Sequence, residues 1–147
     1  MIKLSDCWQT PQWLFKELDR EFDFDVDLCA TAENSKCDIY GTDYLCDEYI
    51  SKTYSRIFSR HTIGRDWLEG ETCFMNPPYS NPRPFIEKAW EDSKRCKIVC
   101  LVKCDPSTKW WATFWDYDCG PKPGCEVRFF PKRIKFDPPS GVSLTGS

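Results

Sequence analysis

A chain of 147 residues, 41% hydrophobic and 29% charged, can bury one sizeable core and fits a single domain over 1–147 with no separate target-recognition domain. Its formal net charge of −3 excludes the overall basic footprint of a strong nucleic-acid binder. Any such contact must rest on local patches: Lys94, Arg95 and Lys97; Lys132, Arg133 and Lys135; or the looser set Arg56, Arg60 and Arg65.

The chain shows no charged-then-apolar leader and no apolar run long enough for a bilayer, so the expectation is a cytoplasmic protein with no membrane partner. In a reducing compartment the ten cysteines stay free, and with no Cys-x-x-Cys pair and a lone His61 no metal site is expected.

The first element opens at QTPQWLFKELDREF. Thr10 reads as an N-cap, Pro11 as a tolerated first-turn proline, and Leu14, Phe15, Leu18 and Phe22 recur on one helical face. In DFDVDLCA, Phe24, Val26 and Leu28 alternate with aspartates as in a strand, and a polar loop, TAENSKC, follows. Residues 38–64 mix aromatics and polar residues without a clean period. They read as a long connection with one helical stretch, suited to substrate contact or a lid.

Periodicity returns at Thr72–Met75, an apolar strand ending at Asn76. Pro84 starts a helix with Phe85, Ile86, Ala89 and Trp90 on one face, with Lys and Arg collected at its C-terminal end. KIVCLV reads as a buried strand, STKWWATFWDY as a capped amphipathic helix, and CEVRFFPKRIKF as two short strands around Pro131. Alternating helix and strand in one domain indicates an α/β sheet with flanking helices, and ligands of such sheets sit beyond the carboxyl ends of the strands. Asp27 and Asn76 both fall there.

The stretch Asn76-Pro77-Pro78-Tyr79 has a chemistry of its own. The lone pair of an exocyclic amine on a base is delocalised into the ring, so the nitrogen is a poor nucleophile. Two acceptors aimed at its N–H groups favour the localised form and the positive charge that develops on attack. Asn76 offers a side-chain carbonyl, and Pro77 a backbone carbonyl held by the restriction that Pro78 places on the residue before it. Neither proline brings an N–H that would compete. Tyr79 offers a ring for stacking, worth roughly 1–3 kcal/mol per base. As a bare turn the same residues would end a strand and put Tyr79 in the core. The four-residue combination after an apolar strand favours the functional reading.

NPPY after a strand resembles the catalytic motif of S-adenosylmethionine-dependent amino-methyltransferases. The segments TPQWLFKELDREFDFDVDLCATAENSKC, DWLEGETCFMNPPYSNP and RFFPKRIKF resemble the phage-type DNA N-6-adenine-methyltransferases, with residues 39–60 matching weakly. The resemblance implies a Rossmann-like class I methyltransferase sheet, S-adenosylmethionine as cofactor, double-stranded DNA as substrate, and transfer to a flipped adenine.

It further implies that Asn76, Pro77, Pro78 and Tyr79 are catalytic and that Thr10 and Pro11 border the methionine end of the cofactor. Asp27, with Cys29 and Ala30, meets the cofactor's amino group, and no Gly-x-Gly follows that strand, only Ala30-Thr31-Ala32. Asp66 either contacts the adenine of the cofactor or caps a turn. Asp105, Ser107, Thr108 and Trp110 lie at the same sheet edge, where a cap suffices to explain Ser107 or Thr108. Base readout is expected from loops 39–64 and 80–84. Relatives continue into a further strand, so a small sheet, C-terminally incomplete, is expected. The alternatives are another amine acceptor (cytosine N4, RNA or protein glutamine) or a non-catalytic nucleic-acid-binding relative.

Overall fold

The computed structural model describes residues 9–30, 34–41, 48–51, 56–59 and 70–138. Helix α1 (Gln12–Phe22) leads into strand β1 (Val26–Asp27), followed by β2 (Ile39–Gly41), β3 (Glu48–Ser51) and β4 (Arg56–Ser59). Then come β5 (Thr72–Met75), helix α2 (Arg83–Asp92), β6 (Lys97–Cys100), a 3-10 turn (Lys109–Thr113) and a small hairpin, β7 (Trp115–Asp116) with β8 (Gly120–Pro121). The main sheet has the order β4-β3-β2-β1-β5-β6. Strands β2, β1, β5 and β6 are parallel, and β3 and β4 add an antiparallel edge. This is the mixed α/β, Rossmann-like architecture expected from the sequence.

Period-2 alternation assigns the two faces of the sheet. Val26, Leu28, Cys73 and Met75 pack with Ile86 and Ala89 of α2 and with Trp110 and Trp111. Phe74 points the other way and packs with Leu14 and Phe15 of α1, Phe24 and Leu101. Helices on both faces make β1 and β5 the buried centre. Gly70 enters β5 at φ +87°, where a side chain would be strained, and its N–H donates to the Arg95 carbonyl (3.0 Å).

Beyond β1 the chain reaches one way to β2 and the other way to β5, with the register Val26 opposite both Ile39 and Cys73. Ligands of open parallel sheets bind where neighbouring strands send their connections in different directions, and Asp27 ends β1 and Asn76 follows β5 at that point. Among the described residues no helix is long and apolar enough to cross a membrane.

Several expectations are corrected. The described parts of 38–64 are strands β2–β4, not a helical stretch. Strands of three or four residues complete at most two alternations, too few to reveal a period. KIVCLV is not a buried strand: β6 spans only Lys97–Cys100, with Ile98 and Val99 half-buried, and it is the sheet's outer strand among the described residues. The tryptophan-rich helix is only a five-residue 3-10 turn, because Trp111 is drawn against Trp110, Phe114, Trp115 and Phe129 at centroid distances of 5.0–6.4 Å. CEVRFFPKRIKF forms no paired strands. Its nearest approach to sheet pairing is a single bridge at the following residue, Asp137, to Gln9. Helix α2 has no basic residue in its last turn, and Lys94 and Arg95 follow the helix instead.

Candidate active site

Asn76 leaves the carboxyl end of β5, which parallel pairing to β1 and β6 fixes on both sides. Two hydrogen bonds continue the ladder there, Leu28 N–H to the Phe74 carbonyl and Leu101 N–H to the Met75 carbonyl, both 2.8 Å. The Asn76 side chain is therefore launched from a strand end paired on both sides. Its Nδ2 donates to Thr10 Oγ1 at 3.0 Å. Its Oδ1 is buried and accepts no hydrogen bond. An orphaned buried carbonyl costs about 1–3 kcal/mol, and native proteins keep such atoms mainly where function needs them.

Thr10 is 3% exposed and does not cap α1. Pro11 occupies the cap position, with its carbonyl accepting from Leu14 and Phe15 N–H, and no side chain caps the helix. The expected Thr10 cap is corrected: its hydroxyl is committed to Asn76.

Pro77 is buried and Tyr79 half-buried. Burial raises the Tyr79 phenol, so it stays neutral at any ordinary pH. The Tyr79 ring lies 5.5 Å from Phe136, tilted by 60°. Two cavities meet at this ring. One of about 340 Å³ is lined by Pro77, Tyr79, Asn81, Arg83, Asp105 and Trp110 among others. A wider one of about 1140 Å³ runs along Lys103, Lys132, Arg133, Lys135 and Phe136. The local basic patch at 132–135 thus stands beside the NPPY motif, while Lys94, Arg95 and Lys97 flank the turn between α2 and β6.

Asp105 organises its own loop. Its Oδ1 accepts the Ser107 hydroxyl at 2.6 Å and the Ser107 N–H at 3.3 Å, while Thr108 donates to the Asp105 carbonyl at 2.7 Å. The bond from Ser107 holds the Asp105 carboxyl below its ordinary range, helped by Lys103. The expected cap by Ser107 or Thr108 is corrected, since neither side chain caps the 3-10 turn.

On the other side of Asn76, Asp27 is 3% exposed at the end of β1, and its Oδ2 accepts the Lys36 N–H at 3.0 Å. Cys29 is half-buried, and Ala30 is buried with its N–H on the Gly41 carbonyl (2.9 Å). Thr10, Pro11, Asp27, Cys29, Ala30 and Asn76 to Tyr79 therefore gather at one edge of the sheet. Asp66, most of loop 39–64, Arg60, Arg65 and the side chain of Arg56 lie outside the described residues. Among the described residues no group of three His, Cys, Asp or Glu is arranged to hold a metal.

Two contacts had no sequence signal of their own: Thr10 on Asn76, and Phe136 on Tyr79. One isolated bridge lies beside both. Gln9 N–H donates to the Asp137 carbonyl (2.8 Å) and Asp137 N–H to the Gln9 carbonyl (2.9 Å), so the residues next to Thr10 and Phe136 are clasped together.

The family described as DNA N-6-adenine-methyltransferase (Dam) matches residues 2–138. A DNA N-6-adenine-methyltransferase of Haemophilus phage HP1 is 36% identical over 111 residues, covering 73% of this chain and 55% of the relative. One of Escherichia phage T1 is 30% identical over 110 residues, covering 74% of this chain and 40% of the relative. The chain thus spans about half the length of the curated relatives it matches. No solved structure matches it significantly. With the match running through α1, the NPPY strand end and the segment carrying Phe136, the chain belongs to the DNA N-6-adenine-methyltransferase (Dam) family.

Proposed function

We propose that the chain transfers the methyl group of S-adenosylmethionine to the exocyclic N6 of an adenine flipped out of double-stranded DNA. The observation that carries this reading is the Asn76 Oδ1: buried, unpartnered, and fixed at a strand end beside Pro77-Pro78-Tyr79. An acceptor so held cannot be satisfied by the folded chain itself, and it suits an amine N–H brought by a substrate. The carboxylate of Asp27, buried at the same edge, is the group suited to the cofactor's amino group, with Thr10, Pro11, Cys29 and Ala30 lining that side. When bound, the cofactor supplies an electrophilic methyl carbon on a sulfonium.

The residues of the chain then act on the base. Tyr79 stacks on it, recovering part of the few kcal/mol that extrusion from the duplex costs. Asn76 Oδ1 accepts one amine N–H and the Pro77 carbonyl the other, which localises the nitrogen lone pair and offsets the positive charge formed on attack. The N–C bond forms as the C–S bond breaks, and the surplus proton leaves the amine afterwards. No cysteine is needed as a nucleophile. Lys103, Lys132, Arg133 and Lys135 offer counter-charge to phosphates beside the opening. The phage relatives point to the host cytoplasm as the place of action.

The test uses unmethylated duplex DNA and methyl-labelled cofactor, followed by nucleoside analysis. N6-methyladenine is expected, and label on cytosine, RNA or protein instead would overturn the substrate assignment. Asn76→Ala should lower transfer by about 10²–10³-fold while cofactor binding persists, as for loss of one group that stabilises developing charge. A chain that binds neither cofactor nor its demethylated product in calorimetry would instead be a non-catalytic relative.

A further inference from the structure

We infer that Thr10 is a positioning residue for methyl transfer: its hydroxyl oxygen takes the Asn76 amide N–H and so turns the amide carbonyl, Oδ1, toward the acceptor amine. The inference rests on the methyltransferase reading above and adds to it a role for this side chain that is separate from binding the cofactor.

An asparagine amide has two ends of nearly equal size and opposite hydrogen-bonding character. Turned one way, Asn76 offers the substrate amine an acceptor; turned the other, it offers an NH₂ donor to a group that is itself a donor. Something must therefore select the orientation before the base arrives. The bond from Nδ2 to Thr10 Oγ1, at 3.0 Å, does so and leaves Oδ1 buried and unpartnered.

Three features of Thr10 fit the role. It is 3% exposed, so water does not compete for the contact. It is β-branched, which stiffens its side-chain torsion. It also stands directly before a helix whose first turn has no side-chain cap, yet its oxygen serves Asn76 instead. The clasp between Gln9 and Asp137 fixes its backbone on the opposite flank from α1.

The experiment compares Thr10→Val, which removes the oxygen at nearly constant shape, with Thr10→Ser, which keeps it. Without cofactor or DNA, the Asn76 side-chain amide protons should be protected from exchange in the wild-type chain and in Thr10→Ser, and lose that protection in Thr10→Val, as read by NMR. In single-turnover transfer to an adenine duplex at saturating cofactor, Thr10→Val should be slowed by about 10- to 100-fold and Thr10→Ser much less. Unchanged amide protection in Thr10→Val would overturn the inference. So would equal losses in both variants. A wild-type chain that protects the amide yet methylates no adenine would defeat the methyltransferase reading and leave the contact itself established.

Discussion

The strands β1 and β5 and the segment 125–137 both contribute to the site, but they are held in place by different physics. Strand β5 is fixed by backbone hydrogen bonds on both sides and by burial of Cys73, Phe74 and Met75 at 0–1% exposure. The later segment has no ladder among the described residues. It is held by aromatic contacts such as Phe129 on Trp115 (6.3 Å), by the exposed pair of Arg128 with Glu21 (2.6 Å), and by the two-bond clasp of Gln9 with Asp137. Asn76 thus follows a strand paired on both sides, whereas Phe136, packed with Ile134 against the cluster of Leu14, Phe15, Phe74 and Leu101, lies in a segment without ladder pairing among the described residues.

The contrast is broken most strongly at Phe74, whose ring meets Phe15 and Phe24 at 5.3 Å each. Phe74→Ala should cost about 3–5 kcal/mol in denaturant unfolding, a large share of the stability of any small domain. The matching change at Phe129, 58% exposed against Trp111 and Trp115, should cost about 1 kcal/mol or less. Equal costs would show that the two regions form one cooperative core of uniform strength.

Tyr79 stands between the two regions, carried by the β5 turn and touching Phe136. Tyr79→Ala should weaken binding of a duplex carrying 2-aminopurine at the target adenine by about 1–3 kcal/mol and lower the fluorescence change of the extruded base, with little effect on thermal unfolding. The clasp comes next. Asp137→Pro deletes the N–H that bonds the Gln9 carbonyl, about 1 kcal/mol of interaction, and frees Phe136 from Tyr79. Transfer should slow severalfold while the midpoint of global unfolding hardly moves. A large fall in that midpoint would place the clasp inside the main core.

The same division explains what could be read from sequence. The strand at Val26 and Leu28 is legible from its alternation with aspartates, although Phe24, in phase with them in the sequence, packs on the opposite face; Thr72–Met75 is legible as a short apolar run, and NPPY because its rigidity is local. Residues 39–59 hid three strands because polar and aromatic residues mix there without an apolar run or a clean alternation, and their pairing to one another is not encoded within any one of them. RFFPKRIKF has strand-like composition, yet with Pro131 inside it and no strand pairing among the described residues, it remains irregular. The Thr10 hydroxyl stands one residue before the cap position, which Pro11 occupies, and only the fold, by bringing residue 76 within 3.0 Å, shows its use. Contacts between residues 66 positions apart are set by topology, and local pattern carries no record of them.

The smallest expected effect lies at the opposite end of β1 and β5, far from the motif. Glu71 is pushed up to about 7, first by desolvation and then by hydrogen bonding to and repulsion from the Asp25 carboxylate beside it. Asp25 is itself tied to the start of β5, accepting the Thr72 N–H at 2.9 Å and donating its own N–H to the Thr72 carbonyl at 2.8 Å. A carboxyl whose pKa is raised on folding stabilises the folded state while it holds its proton. That contribution is complete below the ordinary carboxylate range and is lost as pH rises through about 7. Thermal stability should therefore decline gently between about pH 5 and pH 8, and Glu71→Gln should flatten the profile. The effect should be modest because Glu71 keeps substantial contact with water. Its sign is the informative part. A stability that rises with pH and ignores Glu71→Gln would mean that the strand starts are held apart from any shared proton, and that the ladder alone sets the scaffold beneath Asn76.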